Sequence, residues 1–208
     1  MIRRLALLAA LLPAPALAHP HVFADSRAGF TFDAEGRLTG LRITWLYDAF
    51  TTLVLYDQLA LDEDGDGQLN AADLARIAEG ETDWPPEYDG DIHLSAAGRP
   101  VAMARPLNGS ARMVGDRVEV TFELPLAQPL PPGAASLKLY DPSYYYAYSI
   151  KGIDAELPAT CKAELHPFDP NDADRKILAA LAALSREETP EDPEIGARFS
   201  DEIRLTCG

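Results

Sequence analysis

The segment "VFADSRAGFTF", residues 22–32, is followed by "DAEG", residues 33–36, and then by "RLTGLRITWLY", residues 37–47. The two outer runs are rich in β-branched and aromatic residues, and the segment between them contains a glycine, Gly36. This pattern predicts a β-hairpin. The alternation of apolar residues in the second run is imperfect, and it involves Leu38, Leu41, Ile43 and Trp45.

Further strand candidates follow the turn at Trp84-Pro85-Pro86. They are "DIHLSAAGRPVAM", "SARMVGDRVEVTFELPL", "SLKLYDPSYYYAYSI", "ATCKAELHPF" and "ARFSDEIRLTC". Many short strands separated by turn signals predict a mainly β fold, a β-sandwich of which the immunoglobulin arrangement is one form. An α+β fold with one open sheet is the alternative. Within the third segment, Tyr144, Tyr146 and Tyr148 would share one face of a strand.

Three segments have helical patterns. "AFTTLVLYDQLAL", residues 49–61, is apolar on most sides and predicts a buried helix. A short helix is expected from Ala71 to Glu79, ending at Gly80. "NDADRKILAALAALSREE" places apolar residues at helical spacing behind Asn and Asp, so a C-terminal helix is predicted at about 171–187.

The amino-terminal residues have the features of a secretory signal peptide. Arg3 and Arg4 precede an apolar run, and Ala16-Leu17-Ala18 stands before His19. We expect cleavage after residue 18 and a single β-rich domain over residues 19–208. The apolar run is shorter than the roughly 20 residues of a membrane-spanning helix. The mature chain is therefore expected in the bacterial periplasm, without membrane insertion.

The mature chain is strongly acidic. Removing Arg3 and Arg4 leaves 16 Lys and Arg residues against 33 Asp and Glu residues, so the formal charge changes from -15 to -17. Such a charge repels nucleic acid and suits cation binding or solubility. No nucleophile elbow, HExxH motif, phosphate loop or dinucleotide fingerprint is present, so we expect no enzyme activity.

Cys161 and Cys207 are the two cysteines of the chain. In an exported protein an even pair favours one disulfide. A zinc site formed by Cys161 and His166 is the alternative.

The segment "DEDGDGQLNAAD", residues 62–73, carries the strongest chemical signal. Calcium prefers about six to eight oxygen ligands, and a 12-residue loop supplies them from fixed positions with glycine at the sixth. Gly67 occupies that sixth position. The predicted calcium ligands are Asp62, Asp64, Asp66, Gln68 through its backbone carbonyl, Asn70 and Asp73.

This segment resembles the EF-hand calcium motif over residues 50–79, with two departures. Asp73 stands where glutamate is usual, and its shorter side chain should weaken calcium binding or bring magnesium closer in preference. No second loop is visible in the chain. We therefore expect a structural calcium site of modest affinity, and an acidic surface turn without metal is the alternative.

The mature amino terminus is a second candidate metal site. Cleavage before His19 would place a free amine beside its imidazole, and His21 could add a second ring nitrogen. Pro20 has no amide hydrogen, which excludes the chelate that uses deprotonated amides. Nitrogen ligands of this kind suit Cu²⁺, Ni²⁺, Co²⁺ and Zn²⁺. His93 and His166 are weaker candidates, and a strand whose histidines bind no metal is the alternative.

Three segments resemble the bacterial periplasmic family known as domain of unknown function one-thousand-and-seven. They are "HPHVFADSRAGFTFDAEGRLTGLRITWLYDAF", "DEDGDG" and "YDPSYYYAY". The resemblance implies a periplasmic component of an ABC-type transport system and a membrane partner similar to nickel/cobalt permeases. His19 and His21 match the opening motif of that family.

We therefore predict an exported, non-enzymatic metal-binding accessory protein that serves a membrane metal transporter or permease. A copper enzyme of the histidine-brace type is the second hypothesis. A calcium-stabilised binding module without a transition metal is the third.

Overall fold

The predicted hairpin is present and lies near the centre of the first of two sheets. In the computed structural model, which describes residues 19–154, 156–185 and 188–208, β1 (Val22–Phe32) pairs antiparallel with β2 (Leu38–Tyr47). On its other side β2 pairs with residues of the strand Arg117–Leu130, and this pairing is irregular between Leu38 and Gly40. This irregularity accounts for the imperfect alternation in the second run.

The remaining strands complete two five-stranded sheets. They are β3 (Ile92–Ala96), β4 (Arg99–Pro100), β5 (Leu107–Val114), β6 (Arg117–Leu130), β7 (Ala134–Leu139), β8 (Tyr146–Ile153), β9 (Cys161–His166) and β10 (Glu202–Cys207). The first sheet has the order β5-β6-β2-β1-β8, and the second has the order β4-β3-β7-β10-β9. The β1–β8 pair is parallel, whereas immunoglobulin sheets are antiparallel.

One apolar core joins the two sheets. In β6 every second residue from Val118 to Leu126 is buried, because side chains alternate between the faces of a strand. Residues of the second sheet, including Leu137 and Ile203, belong to the same buried cluster. Fully burying each such side chain stabilises the fold by roughly 1.5–3 kcal/mol. The prediction of a mainly β fold with helical insertions is confirmed.

Within the described ranges three α-helices lie beside the sheets, and each begins at a polar side chain that caps its free N–H groups. They are α1 (Ala49–Gln58), α2 (Ala71–Gly80) and α3 (Asp172–Ala182). The capping residues are Asp48, Asn70 and Asn171. The predicted signal peptide, residues 1–18, and residues 186 and 187 of the predicted C-terminal helix lie outside the described residues.

The prediction that the first helix is buried is wrong. Phe50 and Leu53 of α1 are 70% and 65% exposed, while Thr51, Thr52 and Leu55 are buried. The reason is that α1 lies against the start of β6, where the Val118 N–H donates to Thr52 Oγ1 at 3.0 Å. Only one side of the helix is therefore covered.

The two cysteines form a disulfide, as predicted. Cys161 and Cys207 lie directly opposite each other on β9 and β10, with Cα atoms 4.1 Å apart. The alternative of a zinc site at Cys161 and His166 is excluded, because the Cys161 sulfur is bonded to Cys207. Among the described residues no helix has the length and apolar character needed to cross a bilayer.

Candidate functional site

The loop between α1 and α2 brings three carboxylates together. One oxygen from each of Asp62, Asp64 and Asp66 lies within 4.8 Å of the others. The Gly67 N–H donates to both carboxylate oxygens of Asp62, at 3.2 and 3.0 Å, and the Gln68 N–H donates to Asp66 Oδ1 at 2.8 Å. Gly67 adopts a φ of +78°, which favours glycine. Clustered hard oxygen ligands of this kind suit calcium or magnesium.

The last two predicted loop ligands have another role in the structure. Asn70 Oδ1 accepts from the N–H groups of Ala72 and Asp73, at 2.7 and 3.2 Å. In return, Asp73 Oδ2 accepts from the Asn70 N–H at 3.1 Å, which completes a capping box at the start of α2. The loop therefore divides into a cluster of three aspartates and a helix cap.

His19 and His21 lie side by side just before β1. Their ring centroids are 5.0 Å apart at an interplanar angle of 67°. The His21 N–H donates to the Tyr145 carbonyl at 2.8 Å, and the rings of His21 and Tyr145 are 4.5 Å apart. Strand β1 begins only at Val22, so the pleat of that strand does not align the two histidines. Anchoring of this segment to Tyr145 positions the pair instead.

The ring of His19 is enclosed by protein. The residue is 6% exposed, and its Nδ1 atom has no hydrogen-bond partner within residues 19–154, 156–185 and 188–208. A buried polar atom without a partner is costly, by about 1–3 kcal/mol. A bound metal ion is one way in which such a nitrogen can be satisfied.

The two weaker histidine candidates lie in other surroundings. His93 Nε2 is 2.9 Å from the Tyr140 carbonyl oxygen, and the two rings stack with centroids 3.6 Å apart. His166 Nε2 lies 4.0 Å from a carboxylate oxygen of Glu164. In the part of the chain that the structure describes, neither joins His19 and His21 in a group of three potential ligands.

A third site is an aromatic and acidic cavity of about 460 Å³, which the sequence patterns above do not predict. We call it the tyrosine cavity; it is lined by β2, β8 and residues 80–91 with parts of the β7–β8 connection. Trp45 and Trp84 stack with centroids 6.4 Å apart at 22°, and Tyr146 and Tyr148 lie nearly parallel at 6.0 Å. The cavity therefore has large aromatic walls.

Two carboxylates in this cavity, those of the buried Asp91 and the half-buried Glu81, accept hydrogen bonds from tyrosine hydroxyls. The Tyr47 hydroxyl donates to Glu81 Oε2 at 2.5 Å, and the hydroxyls of Tyr148 and Tyr88 donate to Asp91 Oδ2 at 2.8 and 3.3 Å. Burial raises the pKa of Asp91 to about 7, although the tyrosine hydrogen bonds oppose the rise. Burial likewise raises the pKa of Glu81 above its usual range.

The segment "ETDWPPEYDGD", residues 81–91, combines acidic residues with Trp84 and Tyr88, which is the composition of this site. The pattern Trp84-Pro85-Pro86 predicts only a turn. The partners of this segment come from strands far away in the chain. Tyr144, predicted to share a face with Tyr146 and Tyr148, precedes β8 and packs on Phe199 instead.

Comparisons with known proteins support the family resemblance. The family model described as Protein of unknown function (DUF1007) matches residues 4–207. An uncharacterized protein of Haemophilus influenzae is 28% identical over 198 residues, which covers 92% of each chain. The transport role that the resemblance implies stays a prediction. Because the model match spans nearly the whole sequence, the chain belongs to the family Protein of unknown function (DUF1007).

Proposed function

We propose that this protein is an exported metal-binding accessory protein. Its acidic loop binds calcium, and its His19 and His21 bind a transition metal that passes to or from a membrane transporter. The observation that carries the proposal is the close approach of Asp62, Asp64 and Asp66. Three like charges at this distance repel one another, and a divalent cation offsets the repulsion.

The remaining loop residues support a site of modest affinity. The Gln68 carbonyl and water can add oxygen ligands beside the aspartates. Asp73 Oδ2 accepts from the Asn70 N–H, so an ion bound to that oxygen would compete with this hydrogen bond. That competition favours a dissociation constant of about 10⁻⁴–10⁻³ M, the range of extracellular calcium modules.

The calcium site predicts that Asp64→Ala removes stabilisation by calcium. We expect calcium to raise the melting temperature of chelator-treated protein, because an ion that binds only the folded state stabilises it. The gain is about 2.7 kcal/mol at roughly 100 times the dissociation constant. In Asp64→Ala most of this gain should be lost, as measured by thermal unfolding with and without calcium.

Glu63→Ala is the matched control. It removes one negative charge from the residue that immediately precedes Asp64. The Glu63 carboxylate lies outside the aspartate cluster and forms an exposed ion pair with Arg76 at 3.7 Å. This variant should respond to calcium as the natural protein does. An equal loss of response in both variants, or no response in the natural protein, would contradict the calcium proposal.

The arrangement of the two histidines supports a transition-metal site. An ion about 2.0 Å from one nitrogen of each ring would hold two imidazole centroids roughly 5 Å apart. The observed separation is 5.0 Å. The buried Nδ1 of His19 is available as a ligand atom among the described residues. Cleavage after residue 18 would add the amine of His19 as a third nitrogen.

Replacing either histidine should weaken the tightest binding of a transition metal. The mature protein, shown by mass spectrometry to begin at His19, would be titrated with Cu²⁺, Ni²⁺, Co²⁺ and Zn²⁺ by calorimetry. We expect His19→Ala and His21→Ala each to weaken the tightest binding at least about tenfold, because each removes one ring nitrogen.

His166→Ala is the control, since His166 does not lie with the pair. A mature chain that begins elsewhere, or unchanged affinity in His19→Ala and His21→Ala, would contradict the site. An assay of the copper-loaded protein also distinguishes a metal carrier from a copper enzyme. Peroxide formation that depends on an added reductant would favour a copper enzyme over the accessory role proposed above.

A further inference from the structure

The tyrosine cavity contains none of the proposed metal ligands and has a chemistry of its own. Its volume of about 460 Å³ lies within the range of small-molecule sites, about 300–1,000 Å³. Both tryptophans of the chain line it. None of the three loop aspartates and neither of the paired histidines does so.

The electrostatic character of the cavity is one-sided. Four carboxylates line it, those of Glu81, Asp83, Asp91 and Asp141, and among the described residues no Lys, Arg or His does. Asp91 is 6% exposed, and its side-chain hydrogen bonds come from the neutral hydroxyls of Tyr148 and Tyr88. A buried carboxylate without a cationic partner is unfavourable when ionised. A ligand with a positive charge would supply the missing partner.

The aromatic walls favour an organic cation over a bare ion. The faces of tryptophan and tyrosine rings carry partial negative charge, and they attract ammonium groups within about 6 Å of the ring centre. Methylated ammonium groups bury hydrocarbon as well as charge, which suits walls that are mostly aromatic. Among the described residues the carboxylates of the cavity do not bring three ligand atoms together, as those of Asp62, Asp64 and Asp66 do, so the cavity favours a divalent metal ion less than the acidic loop does.

The pKa values of two cavity carboxyl groups agree with a cationic ligand. Burial raises the pKa of both Asp91 and Glu81. A cation beside these groups would favour their ionised forms.

We propose that the tyrosine cavity binds a small methylated ammonium ion between the stacked tryptophans and the tyrosines of β8, with Asp91 and Glu81 as its counter-charges. This site is independent of the metal-binding function proposed above. It adds a second class of ligand, an organic cation, to the protein.

Choline and its neutral isostere 3,3-dimethylbutan-1-ol test the proposal. Both would be titrated into chelator-treated mature protein, with calorimetry and tryptophan emission as readouts. We expect choline to bind and to change the emission, because both tryptophans line the cavity. The affinity for the neutral isostere should be lower by at least roughly tenfold, since it has the same shape without the charge.

Asp91→Asn and Glu81→Gln each remove the negative charge and keep one acceptor oxygen, with an NH2 group in place of the other. Each should weaken choline binding roughly tenfold, whereas Asp57→Asn on the exposed surface of α1 should leave it unchanged. Far-ultraviolet circular dichroism checks that each variant is folded. If one of the two cavity variants fails to fold, the other variant and the neutral isostere still decide the matter.

Three outcomes would overturn the proposal. They are the absence of any choline signal at millimolar concentrations, equal binding of the neutral isostere, and unchanged choline affinity in both Asp91→Asn and Glu81→Gln. Because the protein is chelator-treated throughout, these outcomes leave the calcium and histidine proposals untouched.

Discussion

Replacing Cys161 and Cys207 together with serine should lower the free energy of unfolding by about 4 kcal/mol. The disulfide closes a loop between residues separated by 46 positions, and the chain-entropy model gives about 4 kcal/mol for a loop of this length. That is a large share of the total free energy of unfolding of a domain, which is roughly 5–15 kcal/mol. Urea unfolding under oxidising conditions measures the difference.

The position of the disulfide explains where this loss should appear first. Strand β9 lies at the edge of the second sheet and is paired there only with β10. Hydrogen exchange should therefore accelerate most in β9, while β6 in the first sheet remains protected. Reduction of the natural protein is the control, and it should give the same stability as the double variant. A loss below about 1 kcal/mol would contradict the expected contribution.

Gly90→Ala should destabilise the protein far more than Gly98→Ala. Both glycines have positive φ angles, +73° and +72°, so an alanine at either position costs about 1–2 kcal/mol of backbone strain. An added Cβ at Gly90 would lie 2.2 Å from Trp84 Cη2, whereas at Gly98 nothing lies within 4 Å. Overpacking adds roughly 1–3 kcal/mol where neighbours cannot move.

Trp84 has little freedom to move away from the new methyl group. Its ring stacks on Trp45 at 6.4 Å and lies edge-to-face against Phe122 at 5.4 Å. We therefore expect Gly90→Ala to lose about 3 kcal/mol or more and to change the tryptophan emission, whereas Gly98→Ala should lose about 1 kcal/mol with unchanged emission. Equal losses in the two variants would show that the Trp84 contact carries no cost.

Tyr145 connects the histidine pair with the tyrosine cavity. Its ring lies 4.5 Å from that of His21, its carbonyl accepts from the His21 N–H, and its side chain also lines the cavity. The loop that presents it is built around Asp141, whose Oδ2 accepts from the N–H groups of Tyr145 and Tyr146 at 2.7 and 3.1 Å. One aspartate thus positions residues of two sites.

The features predicted correctly from the sequence depend on neighbouring residues. The hairpin over residues 22–47 follows from two strand patterns around a glycine-containing turn. The helix–loop–helix around residues 62–73 follows from fixed ligand and glycine spacing, and Asp62, Asp64 and Asp66 do converge. The roles of Asn70 and Asp73 were missed, because the residues that can bind calcium are also good helix caps.

The exposure of α1 shows why a local apolar pattern does not suffice to predict which residues are buried. Phe50 and Leu53 are as apolar as core residues, yet they are exposed. Periodicity describes which residues share a face of a helix, but whether that face is covered depends on what the chain places beside it.

Residue patterns alone predict a β-rich chain, an acidic loop with the spacing of calcium ligands, and one disulfide. The contact of His19 and His21 with Tyr145, and the cavity enclosed by the two tryptophans, the tyrosines and Asp91, become evident only in three dimensions, because they require pairing between distant segments. Val22 pairs with Tyr146 in the parallel β1–β8 pair, and no local pattern specifies which distant strand will be a neighbour.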